Sequence, residues 1–261
     1  MSQLSLSAAV LEDFRGFDKV VAGRIIGAIK TFSSSTSQEL RSNKGLHLER
    51  YKNSRDNRSR TIRLGRNHRG IVLDCGDDQT YLLMRVCTHD EADHWMANNE
   101  FRVNDATGAV EIVDVQAIEE QFGVATPPLN GAEGLFDHRR DRDFTRLGVD
   151  IEWIPNLRAL RKEEELDPIL KVVPETVAMA VILLLGQDTV EVLYAQIAGI
   201  LEQDDQTVIG MAEAVRSPAS SSNYFLVTDD DDLAEILTRP MAKWRTYLHH
   251  SQRSIAYESS F

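Results

Sequence analysis

The chain has 261 residues, 42% of them hydrophobic and 27% charged, which is enough apolar surface for a packed core and excludes a disordered or fibrous protein. Its formal charge of −12 is unevenly spread: residues 1–70 carry 14 Lys/Arg against 6 Asp/Glu (+8), and the remainder carries 15 against 35 (−20). The first stretch attracts polyanions and the remainder repels them. The longest apolar run, residues 177–185, is far shorter than the ~20 residues of a membrane-spanning helix. No basic n-region and apolar run open the chain, so a cytoplasmic protein with no membrane association is expected.

In chain order, Val10, Leu11, Phe14, Phe17, Val20, Val21, Ile25, Ile26 and Ile29 recur at helical spacing, with Gly16 as a break, which predicts a helical hairpin over 8–32. Segments 44–50, 59–64, 68–74 and 80–87 alternate like strands between turn-prone stretches and predict a four-stranded, largely antiparallel sheet. Thr88 is a candidate N-cap for a helix over 89–98, with Asp90 and Glu91 in its first turn. Residues 101–114 follow as a hairpin around Thr107-Gly108.

The Pro-, Gly- and Ala-rich segment 124–134 has linker composition. Beyond it, apolar periodicity over 147–160, 168–185 and 190–201 predicts three or four helices. A flexible stretch at 217–223, a strand-like YFLVT and an acid-capped helix over 230–237 complete the pattern. The expected organisation is an α+β domain at 1–115, a linker at 116–134, a helical connector at 135–216 and a further segment at 217–261. Cys75 and Cys87 fall in predicted strands outside any CxxC or Cys/His cluster, so reduced core thiols are expected.

The densest functional signal is Arg50, Lys52, Arg55, Arg58, Arg60, Arg63, Arg66 and Arg69 on adjacent predicted strands and turns. Arginine suits bidentate phosphate binding, and the cluster predicts a nucleic-acid-binding surface; the alternative is a solvated, charge-protected sheet edge. Alternation puts Arg60 and Ile62 on one face of their strand and Thr61 and Arg63 on the other, so neighbouring strands must converge to make a site. His47, His68, His89 and His94 have no HExxH or other zinc spacing, and no metal site is expected. His89, directly before Asp90 and Glu91, is expected to be a hydrogen-bonded residue at the helix start. No GxSxG elbow or Gly-rich phosphate loop occurs in the sequence.

The succession of a helical hairpin, GLHLERYKNSRDNRSRTIRLGRNHRGIVL, YLLMRVCTHDEADHW and FRVNDATGAVEIVD resembles the RelE/ParE-type domain at the N-terminus of certain bacterial UvrD/Rep-like superfamily I helicases, over about residues 4–115. GLFDHRRDRDFTRLGVDIEWIPNLRALRKEEEL and PMAKWRTYLHHSQRSIA are similar to segments that follow it in those helicases. The resemblance implies a RelE/ParE-like helical hairpin packed on a small antiparallel sheet, followed by a mostly helical region. It implies that Gln252 and Arg253 match an adenine-recognising Q motif, and that a complete helicase uses ATP and Mg. No GxxxxGK[ST] loop occurs among these residues, so no cofactor is expected here and ATP hydrolysis is not completed by them.

Three functions follow from the resemblance. The first is an accessory helicase region that binds RNA, single-stranded DNA or the ribosome. The second is a RelE-type ribosome-dependent mRNA endonuclease, with Arg50, Lys52, Arg63 and Arg69 as charge-stabilising cations and His89 as the proton-transfer group. The third is a protein-interaction module whose basic face meets an acidic partner.

Overall fold

The computed structural model describes residues 2–122, 134–201, 210–221, 223–229, 231, 233, 236 and 237. These form a mixed α+β structure with a six-stranded mixed sheet, a two-stranded sheet and eleven α-helices. They divide into two compact units, residues 2–99 with those from 210 onward, and residues 100–201.

The first unit opens with β1 (Gln3–Ser7), whose Leu4 and Leu6 are fully buried. Ser7 closes the strand and caps α1 (Ala8–Phe14), accepting the Ala9 N–H at 3.1 Å. Gly16 falls in the break before α2 (Lys19–Ser34), where Asp18 accepts the Val20 and Val21 N–H groups. Ile25, Ile29 and Phe32 line the buried stripe of α2, and Phe32 meets Tyr81 edge-on at 5.2 Å. A short α3 (Ser37–Ser42) starts on a Thr36–Glu39 capping box.

The chain then runs antiparallel through β2 (Glu49–Arg50), β3 (Ser59–Arg63), β4 (His68–Asp74) and β5 (Thr80–Thr88). β1 lies parallel to β5, giving the order β2-β3-β4-β5-β1-β8, where β8 (Tyr224–Val227) pairs antiparallel with β1. One face of the sheet contributes Ile62, Leu64, Val72, Leu83 and Val86 to a core shared with Val10, Ile25, Ile29 and Phe32. Against β4 and β5 packs α4 (His89–Asn98), which buries Ala92 and Met96.

Strand β1 pairs with β5 only as far as Leu6 opposite Leu83, which leaves the later backbone of β5 without a strand neighbour on that side. Asp13 of α1 fills the gap: its carboxylate accepts the Val86 N–H at 2.8 Å and binds the Arg85 guanidinium at 2.8–3.1 Å. At the β4–β5 turn, Asp77 accepts the N–H groups of Gln79 and Thr80, the Thr80 hydroxyl and Arg216 of α11 (Met211–Arg216). It thereby ties the 210–237 segment to the sheet.

In the second unit, β6 (Asn99–Val103) and β7 (Val110–Asp114) form the two-stranded sheet, followed by α5 (Val115–Phe122). The helices α6 (Asp141–Arg146), α7 (Ile154–Ala159), α8 (Asp167–Leu170), α9 (Glu175–Leu185) and α10 (Val190–Leu201) make up the rest. The apolar run at 177–185 lies in α9, and no described helix is long and apolar enough to cross a membrane. Arg139 is buried but satisfied, donating to the Leu184, Gly186 and Asp188 carbonyls at the end of α9. Buried Glu111 binds Arg102 at 2.8 Å, and the same guanidinium lies 4.5 Å from the Trp153 ring centroid.

The fold departs from the sequence expectation in definite places. The sheet has six strands where four are expected, because Gln3–Ser7 and Tyr224–Val227 add to one edge. Segment 44–50 begins as a turn over residues 44–46, and only Glu49–Arg50 is strand. The helix expected over 147–160 is interrupted: α6 ends before Gly148, whose φ of +83° suits glycine, and α7 begins at Ile154. Pro174 separates α8 from α9 within the expected 168–185 helix. Residues 115–122 are helical because Ile118 and Phe122 are buried on one side, which shortens the linker expected at 116–134. Residues 123–133 lie outside the described ones. The units also differ from the expected domains, since residues 100–114 cluster with the helices that follow and residues from 210 onward with the sheet.

Replacing Asp13 by Ala leaves the Val86 N–H and the half-buried Arg85 without partners, at an expected cost of about 2 kcal/mol, measured by urea unfolding of the full chain. A loss under about 0.5 kcal/mol would remove the gap-filling role. The Asp77 pKa is lowered: burial opposes this, but the hydrogen bonds from Thr80 and Gln79 and the charge of Arg216 outweigh it. A carboxylate held below its unfolded value stabilises the fold above about pH 4 and loses that effect as pH falls through the folded value. Asp77→Asn is therefore expected to be less stable than the wild type at pH 7, by about 1 kcal/mol, with the difference closing below about pH 4.

Candidate functional site

The strand register decides which of the eight basic residues meet. Arg63 of β3 stands directly opposite Arg69 of β4, and Glu49 of β2 directly opposite Thr61 of β3. Opposed residues share a sheet face, and Thr61 and Arg63 share one by alternation. Glu49, Thr61, Arg63 and Arg69 thus come to one side. A cavity of about 160 Å³ opens there, lined by these four together with His47, Tyr51, His89, Ala92 and Asp93. It is smaller than the ~300–1,000 Å³ of sites that engulf a drug-sized molecule, so it has room only for a small group.

Neither Arg63 nor Arg69 has an ion-pair partner among the described residues; Arg69 Nη1 donates only to the His68 carbonyl at 3.1 Å. Two like charges directly opposite each other are destabilising, and an anion between them would relieve that repulsion. The cavity also brings two imidazole–carboxylate pairs to this spot. His47 Nδ1 lies 3.0 Å from Glu49 Oε1, and His89 Nδ1 lies 3.4 Å from Asp93 Oδ2, one helical turn on. Tyr51 adds a phenol whose pKa is raised by desolvation and by the hydrogen bond to, and charge of, Asp93, so it stays a hydroxyl donor at neutral pH.

His47 has an unusual backbone, with a φ of +52°. Left-handed conformations cost a non-glycine residue roughly 1–2 kcal/mol, so neighbouring bonds must enforce this one. The His47 N–H donates to the Asn43 carbonyl at 2.8 Å, and the preceding Leu46 carbonyl accepts the Arg63 N–H at 2.6 Å. The loop carrying His47 is therefore fastened to the backbone of a site arginine.

The other basic residues are placed differently. Arg58 pairs with Asp56 at 2.7 Å, and Arg60 with Asp74 at 3.4 Å while also donating to the Asn57 and Ser59 carbonyls, so both hold the fold together. Arg50 stands opposite Arg60, on the parity away from Arg63. Arg50, Lys52, Arg55 and Arg66 are exposed, and none of them lines the cavity. Of the proposed catalytic set, then, Arg63, Arg69 and His89 converge, while Arg50 and Lys52 do not. His89 is the first residue of α4, directly after the N-cap Thr88, whose capping box with Glu91 is formed. Gln252 and Arg253 lie outside the described residues.

Cys75 and Cys87 are buried and unpaired, and burial pushes both thiols up to about 12, far from a nucleophilic thiolate. Among the described residues no three His, Cys, Asp or Glu side chains are grouped to hold a metal ion. A larger cavity of about 410 Å³ beside Ser2, Lys30 and Asp229 contains none of the predicted site residues. Comparison of the chain with protein-family models, with curated proteins and with solved structures finds no match in any of the three.

Inorganic phosphate at ten times its Kd is expected to stabilise the protein by about 1.4 kcal/mol, a rise of a few degrees in Tm. Arg63→Ala and Arg69→Ala are each expected to lose most of that rise without lowering the Tm in chloride of equal ionic strength, since each relieves the Arg–Arg repulsion. An unchanged phosphate response in both variants would show that the anion sits elsewhere.

Proposed function

We propose that the first unit is a RelE/ParE-type domain that binds an RNA phosphodiester in this cavity and cleaves it by attack of the neighbouring 2′-hydroxyl. The observation that carries this reading is the apposition of Arg63 and Arg69, unpaired with any acid, beside His47–Glu49 and His89–Asp93. Support also comes from the order of α1, α2, the antiparallel strands β2 to β5 and α4, which follows the order of segments on which the RelE/ParE resemblance rests.

The chemistry has three demands: a proton acceptor for the 2′-hydroxyl, charge stabilisation at phosphorus and a proton donor for the leaving oxygen. In this reading the Glu49 carboxylate takes the 2′-hydroxyl proton as O2′ bonds to phosphorus. The two guanidinium groups bear the negative charge that builds on the equatorial oxygens. The P–O5′ bond breaks as protonated His89 gives its proton to O5′, leaving a 2′,3′-cyclic phosphate and a 5′-hydroxyl. Arg50, Lys52 and Arg66, exposed and with no ion pair among the described residues, contact flanking phosphates and add affinity rather than rate.

The test uses the purified chain with an RNA oligonucleotide, its DNA counterpart and ribosomes carrying a defined mRNA. Expected are cuts in RNA, free or ribosome-bound, with cyclic phosphate ends, and none in DNA. Arg63→Ala or Arg69→Ala should lower kcat about 100-fold, as loss of a single transition-state charge contact does, while RNA binding weakens far less. Salt-sensitive RNA binding with no cleavage by the wild type would leave a phosphate-binding accessory module instead.

A further inference from the structure

We infer that His47 is a positioning residue for the cleavage site: its left-handed backbone aims the imidazole at Glu49 and holds that carboxylate where it can accept a proton. This inference rests on the ribonuclease reading above. Three observations carry it. First, His47 is one of two described non-glycine residues with positive φ, and the other, Asp78, sits in the β4–β5 turn away from the cavity. Second, the conformation is not explained by burial, because the His47 side chain remains 44% exposed. Its carboxylate contact is Glu49, at 3.0 Å inside the cavity. Third, the peptide unit that leads into the strained residue is held at both its polar groups, the His47 N–H on the Asn43 carbonyl and the Leu46 carbonyl on the Arg63 N–H.

A backbone penalty kept in place for a half-exposed side chain points to a role in the site rather than in folding. Glu49 needs such help. It lies on an exposed, two-residue edge strand, and its own side chain is 57% exposed, so nothing else described on that strand restrains its rotamer. The imidazole contact at 3.0 Å restrains the Glu49 carboxylate within the cavity that Arg63 and Arg69 also line. This is the role an orienting group plays beside a general base.

The decisive variant is His47→Gly, because glycine adopts positive φ without strain and removes only the imidazole. It is expected to fold with a Tm equal to or above the wild type. On whichever substrate the wild type cuts, kcat should fall at least 10-fold with KM within two-fold, and added imidazole should restore part of the rate. Glu49→Gln should fall further, and the double variant should be no slower than Glu49→Gln alone, since His47 acts through Glu49. A merely structural His47 would give the opposite pattern: lowered Tm, unchanged kcat and no imidazole rescue. If Arg63→Ala abolishes cleavage while His47→Gly stays within two-fold of wild type, or if the two site effects multiply in the double variant, the positioning role is overturned and the ribonuclease reading stands. Absence of cleavage by the wild type overturns both.

Discussion

Gly70 stands opposite Ile62 in the β3–β4 ladder, and a Cβ built on it would lie 2.9 Å from side-chain atoms of both Ile62 and Leu83 and 3.0 Å from Leu64. The backbone of β4 must be bare at that point for the apolar face to close over it. Because side chains alternate, a one-residue slip would swing Ile62 out of the core and Arg63 into it. The packing of Ile62 on glycine therefore fixes the register, and the register sets Arg63 against Arg69 one position on. The candidate site is a by-product of how the core closes on the opposite face.

That arrangement also separates structural from functional charge. Asp56 and Asp74 each take up an arginine, and Asp13 takes up Arg85 where β5 outruns β1. The sheet thus has acids available for its basic residues, yet Arg63 and Arg69 are left facing each other. Leaving two guanidinium groups unpaired and opposed works against stability, a pattern typical of binding and catalytic surfaces.

Local chemistry was the legible part of the sequence. Strand β4 lies where alternation and flanking turns predict it, and Thr88 with Glu91 forms the expected cap because a capping box needs only residues three apart. β1 carries the alternation of a strand in Leu4, Ser5, Leu6 and Ser7, but it is five residues long and runs directly into α1 at Ala8, with no turn residue to mark its end. The site was half visible. Arg63, Arg69 and His89 stand out in the sequence by residue type, whereas His47, Glu49, Tyr51 and Asp93 join them through cross-strand register, a left-handed turn and a helix packed on the sheet. Only the spacing of His89 and Asp93, four apart on a helix, could have been found in advance. The pairing of residues beyond 210 with β1 has no local signature, since it depends on contacts some 220 residues apart in sequence.

The acids in the cavity bear on which function the basic strands serve. A surface evolved only to hold phosphate gains affinity from each cation and loses it with each carboxylate near the anion. Glu49 and Asp93 both line the cavity that holds the unpaired arginines, and each lies beside a histidine. For a binding platform that composition is self-defeating, because the carboxylates offset the charge that Arg63 and Arg69 supply. For in-line phosphodiester cleavage it is what the reaction needs, since one proton must be taken up as another is delivered while phosphorus stays under cationic control. The exposed Arg50, Lys52 and Arg66, outside the cavity and away from these acids, are placed to supply affinity without that conflict. Under the proposed cleavage, a division between cations that bind and cations that act on the scissile phosphate would account for why only two of the eight basic residues enter the cavity.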